Sequence, residues 1–128
     1  MSYIVADQLG KSFGDGAAAV HAVSDLDFKI APGEFVAIMG ESGAGKSTLL
    51  GILGAMSAPT TGRLHVDGID VYALDQDRLA DFRREYLGFV FQSFHLVPYL
   101  SVIENVMLPL AVSRKGRREK RRLAAEAL

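Results

Sequence analysis

The apolar positions alternate early in the chain and turn helical later. Leu26, Phe28 and Ile30 alternate with Asp27 and Lys29, which predicts a strand with one buried face, and Pro32-Gly33 predicts the turn after it. Phe35-Val36-Ala37-Ile38-Met39 is almost wholly apolar, the pattern of a strand buried on both faces. From Lys46 to Met56 the apolar residues Leu49, Leu50, Ile52, Leu53 and Met56 fall at helical spacing, and Pro59-Thr60-Thr61-Gly62 stops that helix. Arg63 to Val66 predicts a short strand closed by the turn pair Asp67-Gly68. Asp75 to Glu85 predicts a charged surface helix with Leu79 and Phe82 facing the core and Asp75 as N-cap.

Leu87-Gly88-Phe89-Val90-Phe91 is a second candidate for a buried strand. Helical spacing resumes at Ser101, where an N-cap serine and Glu104 three residues on form a capping box, and Pro109 limits that helix. Arg121 to Leu128 reads as an amphipathic helix that has barely begun, with no cap or glycine to end it. There is no internal repeat and no low-complexity linker.

Composition narrows the class without naming a chemistry. Of 128 residues, 49% are apolar and 23% charged, which excludes a disordered or collagen-like chain and fits one domain. The absence of cysteine excludes disulfide frameworks, thiolate metal sites and cysteine nucleophiles. No run of 18 apolar residues occurs, and the start Met1-Ser2-Tyr3-Ile4-Val5-Ala6-Asp7 lacks the pattern of a signal peptide, so the chain is expected neither to span a membrane nor to be exported by that route.

The net charge of -1 hides an asymmetry. Residues 1–113 hold 7 basic and 13 acidic side chains, whereas residues 114–128 hold 7 and 2. The run Arg114-Lys115-Gly116-Arg117-Arg118-Glu119-Lys120-Arg121-Arg122 suits nucleic acid, an anionic lipid surface or, more commonly, a solvated helix face. The acidic body speaks against general nucleic-acid binding. His21, His65 and His95 have no metal-ligand spacing.

The candidate chemistry lies where glycine is dense: 8 of the 13 glycines fall between Gly33 and Gly68. Gly40-Glu41-Ser42-Gly43-Ala44-Gly45-Lys46-Ser47 fits G-x-x-x-x-G-K-[ST], a phosphate-binding loop, and it sits between a predicted buried strand and a predicted helix as that motif requires. Such a loop wraps a polyphosphate so closely that several backbone N–H groups converge, and Gly43 and Gly45 supply the freedom this needs. Lys46 would reach the β- and γ-phosphates, Ser47 would ligate magnesium, and Thr48 would add a hydroxyl near the α-phosphate. Gly40, Ser42 and Ala44 complete the predicted nucleotide-binding set. The loop alone specifies only a nucleoside triphosphate.

The flanking sequence is more specific. Gly88-Phe89-Val90-Phe91-Gln92-Ser93-Phe94-His95-Leu96-Val97-Pro98, followed by Glu104-Asn105-Val106-Met107-Leu108-Pro109-Leu110, resembles the Q-loop region of ATP-binding cassette (ABC) transporter ATPases. Its wording is similar to the subgroup serving lipoprotein release, macrolide export and related permeases. Gly10-Lys11-Ser12-Phe13-Gly14 is similar to the segment carrying the adenine-stacking aromatic, and Pro32-Gly33-Glu34-Phe35 to the turn before the loop strand.

The resemblance implies an α/β P-loop NTPase fold, an ABC-type nucleotide-binding domain truncated within its helical subdomain. Residues 1–92 would form the nucleotide-binding core with its antiparallel β portion, and 93–128 the Q-loop continuation and an incomplete helical subdomain. It implies ATP and Mg2+ as cofactors, Phe13 as the adenine platform, Lys46 and Gln92 as catalytic residues, and Ser47 and Gln92 as contacts to magnesium. Partners would be a transmembrane permease meeting residues 93–102, through the apolar cluster Phe94, Leu96, Pro98, Tyr99 and Leu100, and a second copy of the complete cassette. Nucleic acid is not expected, and the location implied is the cytoplasmic face of the cell membrane.

The signature loop of the Leu-Ser-Gly-Gly-Gln type, the catalytic Glu after an Asp-ended strand and the switch His have no counterpart in this sequence. Asp67-Gly68 is a hairpin turn, and Glu104 belongs to the capping box. Three readings follow: the N-terminal part of a transport ATPase, a short nucleotide-binding or regulatory protein without turnover, and another P-loop enzyme such as a small-molecule kinase.

Overall fold

A computed structural model describes all 128 residues, which form two compact units, Met1–Phe89 and Val90–Leu128. In the first, β1 (Ile4–Phe13), β2 (Val20–Ile30), β3 (Thr61–Val66) and β4 (Ile69–Asp70) make an antiparallel sheet in the order β2-β1-β3-β4. Helices α1 (Lys46–Leu53) and α2 (Gln76–Tyr86) complete it. Ala6 and Leu9 of β1 and Leu64 and Val66 of β3 are buried in one cluster with Ile52, Ala55, Val71, Leu79 and Phe82. One sheet face therefore carries the core, and the alternation of β2 and β3 follows from that one-sided burial.

Strand β1 was not foreseen, because it breaks the period-two pattern. The backbone of Gln8 is left-handed (φ 47°), and the pairing register shifts between Ala6 and Leu9, so a bulge puts Leu9 and Gly10 inside and Asp7 and Gln8 outside. Gly62, the second residue of the facing strand, has φ 80° and stands where a Cβ would lie 2.2 Å from the Gln8 carbonyl oxygen. Only glycine lets β1 and β3 close over the bulge.

Helix α1 ends at Leu53, one turn short of the predicted Met56. Ala55 turns left-handed (φ 54°), its N–H donates to Ile52 O at 3.1 Å, and Met56 N–H donates to Gly51 O at 2.9 Å. These two bonds form a Schellman motif, which reverses the chain before Met56. The Arg83 guanidinium donates to Ala55 O at 3.0 Å, and the Tyr72 hydroxyl lies 2.6 Å from Ile52 O and 2.9 Å from Ser57 O. Burial pushes the Tyr72 phenol up to about 12, outweighing the opposite pull of Arg83, so it remains a donor across the neutral range. Helix α2 starts as expected, with Asp75 accepting from Arg78 N–H at 2.9 Å and Leu79 and Phe82 buried.

Two expected strands are corrected. Phe35–Met39 and Leu87–Phe91 carry no ladder and belong to no strand. An apolar run becomes a strand only where backbone partners flank it. The four strands of the sheet pair among themselves, and Phe35 and Met39 stand 96% and 88% exposed.

In the second unit α3 (Val102–Met107) carries the predicted capping box: Ser101 N–H donates to Glu104 Oε2 at 2.8 Å and Glu104 N–H to Ser101 Oγ at 3.4 Å. Asn105 clasps the preceding loop through Val97 N–H, Val97 O and Leu100 O. Pro109 converts the helix into a 3-10 turn over Leu108–Leu110. Helix α4 spans Arg117–Ala127, four residues earlier than expected. Its first turn is polar, which hid it from an apolar pattern, and the i,i+4 pairs Lys115–Glu119 and Arg122–Glu126 support it.

Gly62→Ala is expected to cost on the order of 2 kcal/mol or more, since strain and backbone collision add. Gly68→Ala, also left-handed (φ 77°) but facing open space, is expected to cost only about 1 kcal/mol. Denaturant midpoints of the two variants check this, and equal midpoints would contradict it. The Glu104 carboxyl is held below its ordinary 4.5 first by the Ser101 hydroxyl and then by the Ser101 amide. A depressed carboxylate stabilises above its unfolded value and loses that contribution as pH falls through the folded one. The α3 cap is therefore expected to weaken as pH falls below the ordinary carboxyl value of 4.5, read as a shift of the Ser101 amide resonance, and Glu104→Gln to flatten the profile.

Candidate functional site

The predicted loop Gly40–Ser47 lies between the unpaired Phe35–Met39 segment and α1. Its geometry explains two glycines on different grounds. Gly43 has φ 82° and open space around it, so the requirement is torsional. Gly45 has φ 89° and stands so close to β2 that a Cβ would fall 2.1 Å from the Ala22 carbonyl oxygen. The loop is thereby seated on the backbone of β2.

Gly45 is also the N-cap of α1, and no side chain caps that end. Leu49 N–H is the first to close a helical turn, donating to Gly45 O at 2.9 Å. The amides of Lys46, Ser47 and Thr48 are the ones helix geometry leaves without intrahelical acceptors, and they lie at the positive end of the helix dipole. The Lys46 ammonium folds back over the loop entrance, donating to Gly40 O at 2.7 Å and Glu41 O at 2.5 Å. A concavity of about 320 Å3 is lined by Ala22, Ser42, Gly43, Gly45, Lys46, Ser47 and Thr48. Ala44 lines an adjoining hollow with Lys46 and Leu49. Uncapped amides, an ammonium and the three hydroxyl residues Ser42, Ser47 and Thr48 around one hollow make a site for an anion with several oxygens.

Phe13, at the end of β1, pairs with Val20, two residues before Ala22 on β2. One strand thus carries both the register partner of the candidate aromatic and the carbonyl that seats the loop. Phe13 is 49% exposed, a ring with a face to offer. The contribution of Ala22 was not legible in the sequence, since it is made by a main-chain carbonyl.

Gln92 belongs to the other unit, in an exposed bend followed by His95, whose ring lies 4.9 Å from that of Phe91. In the same unit an apolar concavity of about 320 Å3 is lined by Leu96, Val97, Pro98, Leu100, Val102, Asn105 and Val106. Phe94 and Tyr99, expected in that cluster, do not line it and are largely exposed. No helix is long and apolar enough to cross a membrane.

Residues 23–128 match the family model described as ABC transporter. The chain is 44% identical over 123 residues to the lipoprotein-releasing system ATP-binding protein LolD of Bordetella pertussis, covering 96% of this chain and 53% of that one. It is 45% identical over 120 residues to the macrolide export ATP-binding/permease protein MacB of Sodalis glossinidius, covering 94% and 18%. A solved dimeric structure of the ATP-binding cassette MJ0796 in a post-hydrolysis state, bound to ADP and Pi, superposes with a TM-score of 0.86 at 40% identity, covering 96% of this chain and 54% of that one. A curated MJ0796 sequence is that of Methanocaldococcus jannaschii. The chain therefore spans about half the length of LolD and MJ0796 and under a fifth of MacB.

Gly45→Ala is expected to weaken tripolyphosphate binding by about tenfold or more, the equivalent of about 1.4 kcal/mol, because the loop must leave the Ala22 carbonyl to admit a methyl group. Calorimetric titration checks it, and unchanged affinity would show that the loop does not need its seat on β2.

Proposed function

This chain belongs to the ABC transporter family, and from that premise we propose that it binds magnesium-ATP as the ATP-binding part of a cassette whose ATP binding and hydrolysis drive a membrane permease. The observation that carries the reading is the uncapped N-terminus of α1, with Gly45 seated on β2 and Lys46 arched across the loop entrance. A polyphosphate chain supplies the acceptors those amides lack, and Lys46 exchanges its two carbonyl partners for β- and γ-phosphate oxygens. Phe13 stacks on the adenine, and Thr48 approaches the α-phosphate.

The donor set suits magnesium, a hard cation that keeps several waters and takes few protein ligands beside substrate phosphates. The exposed Ser47 hydroxyl in the first turn of α1 is such an oxygen donor. The ion would neutralise phosphate charge, and Ser47 would orient it. The role of Gln92 toward the ion and the attacking water is proposed from the Q-loop resemblance alone. Turnover calls for a signature loop and a catalytic carboxylate, which these 128 residues do not contain. In this reading a second copy of the complete cassette supplies the signature loop.

The permease would be met through residues 93–102. A cytoplasmic helix of such a partner buries apolar side chains, and the hollow around Leu96, Pro98 and Leu100 offers the matching surface. In this reading the chain would lie on the inner face of the cell membrane. Fluorescent ATP titration in the presence of magnesium tests the reading. Lys46→Ala is expected to abolish saturable binding, and binding equal to that of the unaltered protein would remove Lys46 from its role and the reading with it.

A further inference from the structure

The end of β1 holds an interaction that the phosphate site does not use. Lys11 and Phe13 are two residues apart on that strand, and the Lys11 Nζ stands 5.3 Å from the centre of the Phe13 ring. The same ammonium donates to Ala58 O at 2.6 Å. Ala58 lies within the connection from α1 to β3, and this connection grips β1 twice more: Thr60 N–H donates to Gly10 O at 2.7 Å, and Ser12 N–H donates to Thr60 Oγ1 at 3.0 Å. The ammonium is therefore not a freely swinging surface charge. It is tied to a segment that is itself bonded to the strand carrying the ring.

We propose that Lys11 is a positioning residue for adenine recognition, its tethered ammonium occupying one face of the Phe13 ring so that the base stacks on the other. This rests on the reading of Phe13 as the adenine platform. The ring sits at a strand end, 49% exposed, and has no hydroxyl through which a hydrogen bond could fix its plane. A cation within about 6 Å of the ring centroid is attracted to the negative π face, which favours one ring orientation over the others open to an exposed phenylalanine. The cation also draws π density toward itself, so the open face repels the π cloud of an electron-rich purine less. Both effects grow on binding, because a stacked base removes water from around the ring and a cation–π contact strengthens as it is desolvated. An interaction stronger in the bound than in the free protein contributes to affinity, whereas one of equal strength in both does not.

Were Lys11 simply a structural clamp through Ala58, its loss would disturb every ligand of the site alike. The ring-positioning role predicts a loss confined to ligands that carry a base. The experiment is a double-mutant cycle in the full chain, measuring dissociation constants for magnesium-ATP and for inorganic tripolyphosphate with Lys11→Met, Phe13→Ala and both together. Lys11→Met is expected to weaken ATP about two- to fivefold, the range of an exposed cation–π contact, and to leave tripolyphosphate unchanged. In the Phe13→Ala background it is expected to add nothing, and Lys11→Arg to restore ATP affinity through its own cation. Equal losses for both ligands, or an undiminished Lys11→Met effect without the ring, would overturn the proposal while leaving stacking intact. If Phe13→Ala fails to change ATP affinity relative to tripolyphosphate, the stacking reading itself falls and the proposal with it.

Discussion

The site depends on one close approach, that of the Gly45 backbone to the Ala22 carbonyl of β2. A side-chain carbon at position 45 would stand 2.1 Å from that oxygen, well inside any possible contact. The loop can lie there only because residue 45 has no side chain, and its φ of 89° needs glycine for a second reason. Since Gly45 is also the N-cap of α1, this contact fixes where the first amides of the helix point. It ties the loop to the strand whose earlier residue Val20 pairs with Phe13. Loop and aromatic thus share β2 as a common frame, so their separation is set by a β ladder and not by flexible side chains.

The other end of α1 is held as firmly. A Schellman reversal at Ala55, the Arg83 guanidinium on Ala55 O and the Tyr72 hydroxyl beside Ile52 O and Ser57 O satisfy carbonyls that a helix C-terminus leaves over. Ile52, fully buried against β1 and β3 residues, adds the apolar anchor. An eight-residue helix would be marginal by itself. Fastened at both ends, it presents its N-terminal amides in a preformed array, and little ordering entropy is left to oppose the binding of an anion.

Features specified by a few adjacent residues were legible in the sequence. The loop Gly40–Ser47, the Asp75 N-cap, the capping box at Ser101 and Glu104 and the stop at Pro109 each depend on neighbours within about four positions, and each was foreseen. Features that depend on distant partners were misread or missed. The Gln8 bulge concealed β1 by shifting its buried positions out of alternation. Phe35–Met39 and Leu87–Phe91 have the composition of buried strands, but composition reports a preference for apolar surroundings and says nothing of whether partners adjoin them. Helix α4 begins with arginines at Arg117 and Arg118, so its start carried no apolar signal. The seat provided by Ala22 and the ammonium of Lys11 over Phe13 come from a backbone oxygen and from the folding of β1. Neither leaves a trace in residue type.

The central claim is that a preformed cradle on β2 and α1 receives polyphosphate. Backbone amide resonances followed during titration with tripolyphosphate address it most directly, because the cradle binds through N–H groups. The account predicts saturable shifts of the Gly43, Gly45, Lys46, Ser47 and Thr48 amides, with those of α3 unmoved. Shifts confined to the arginine-rich turn Arg117–Arg122, with the loop amides unchanged, would contradict it by showing that the anion follows positive charge alone.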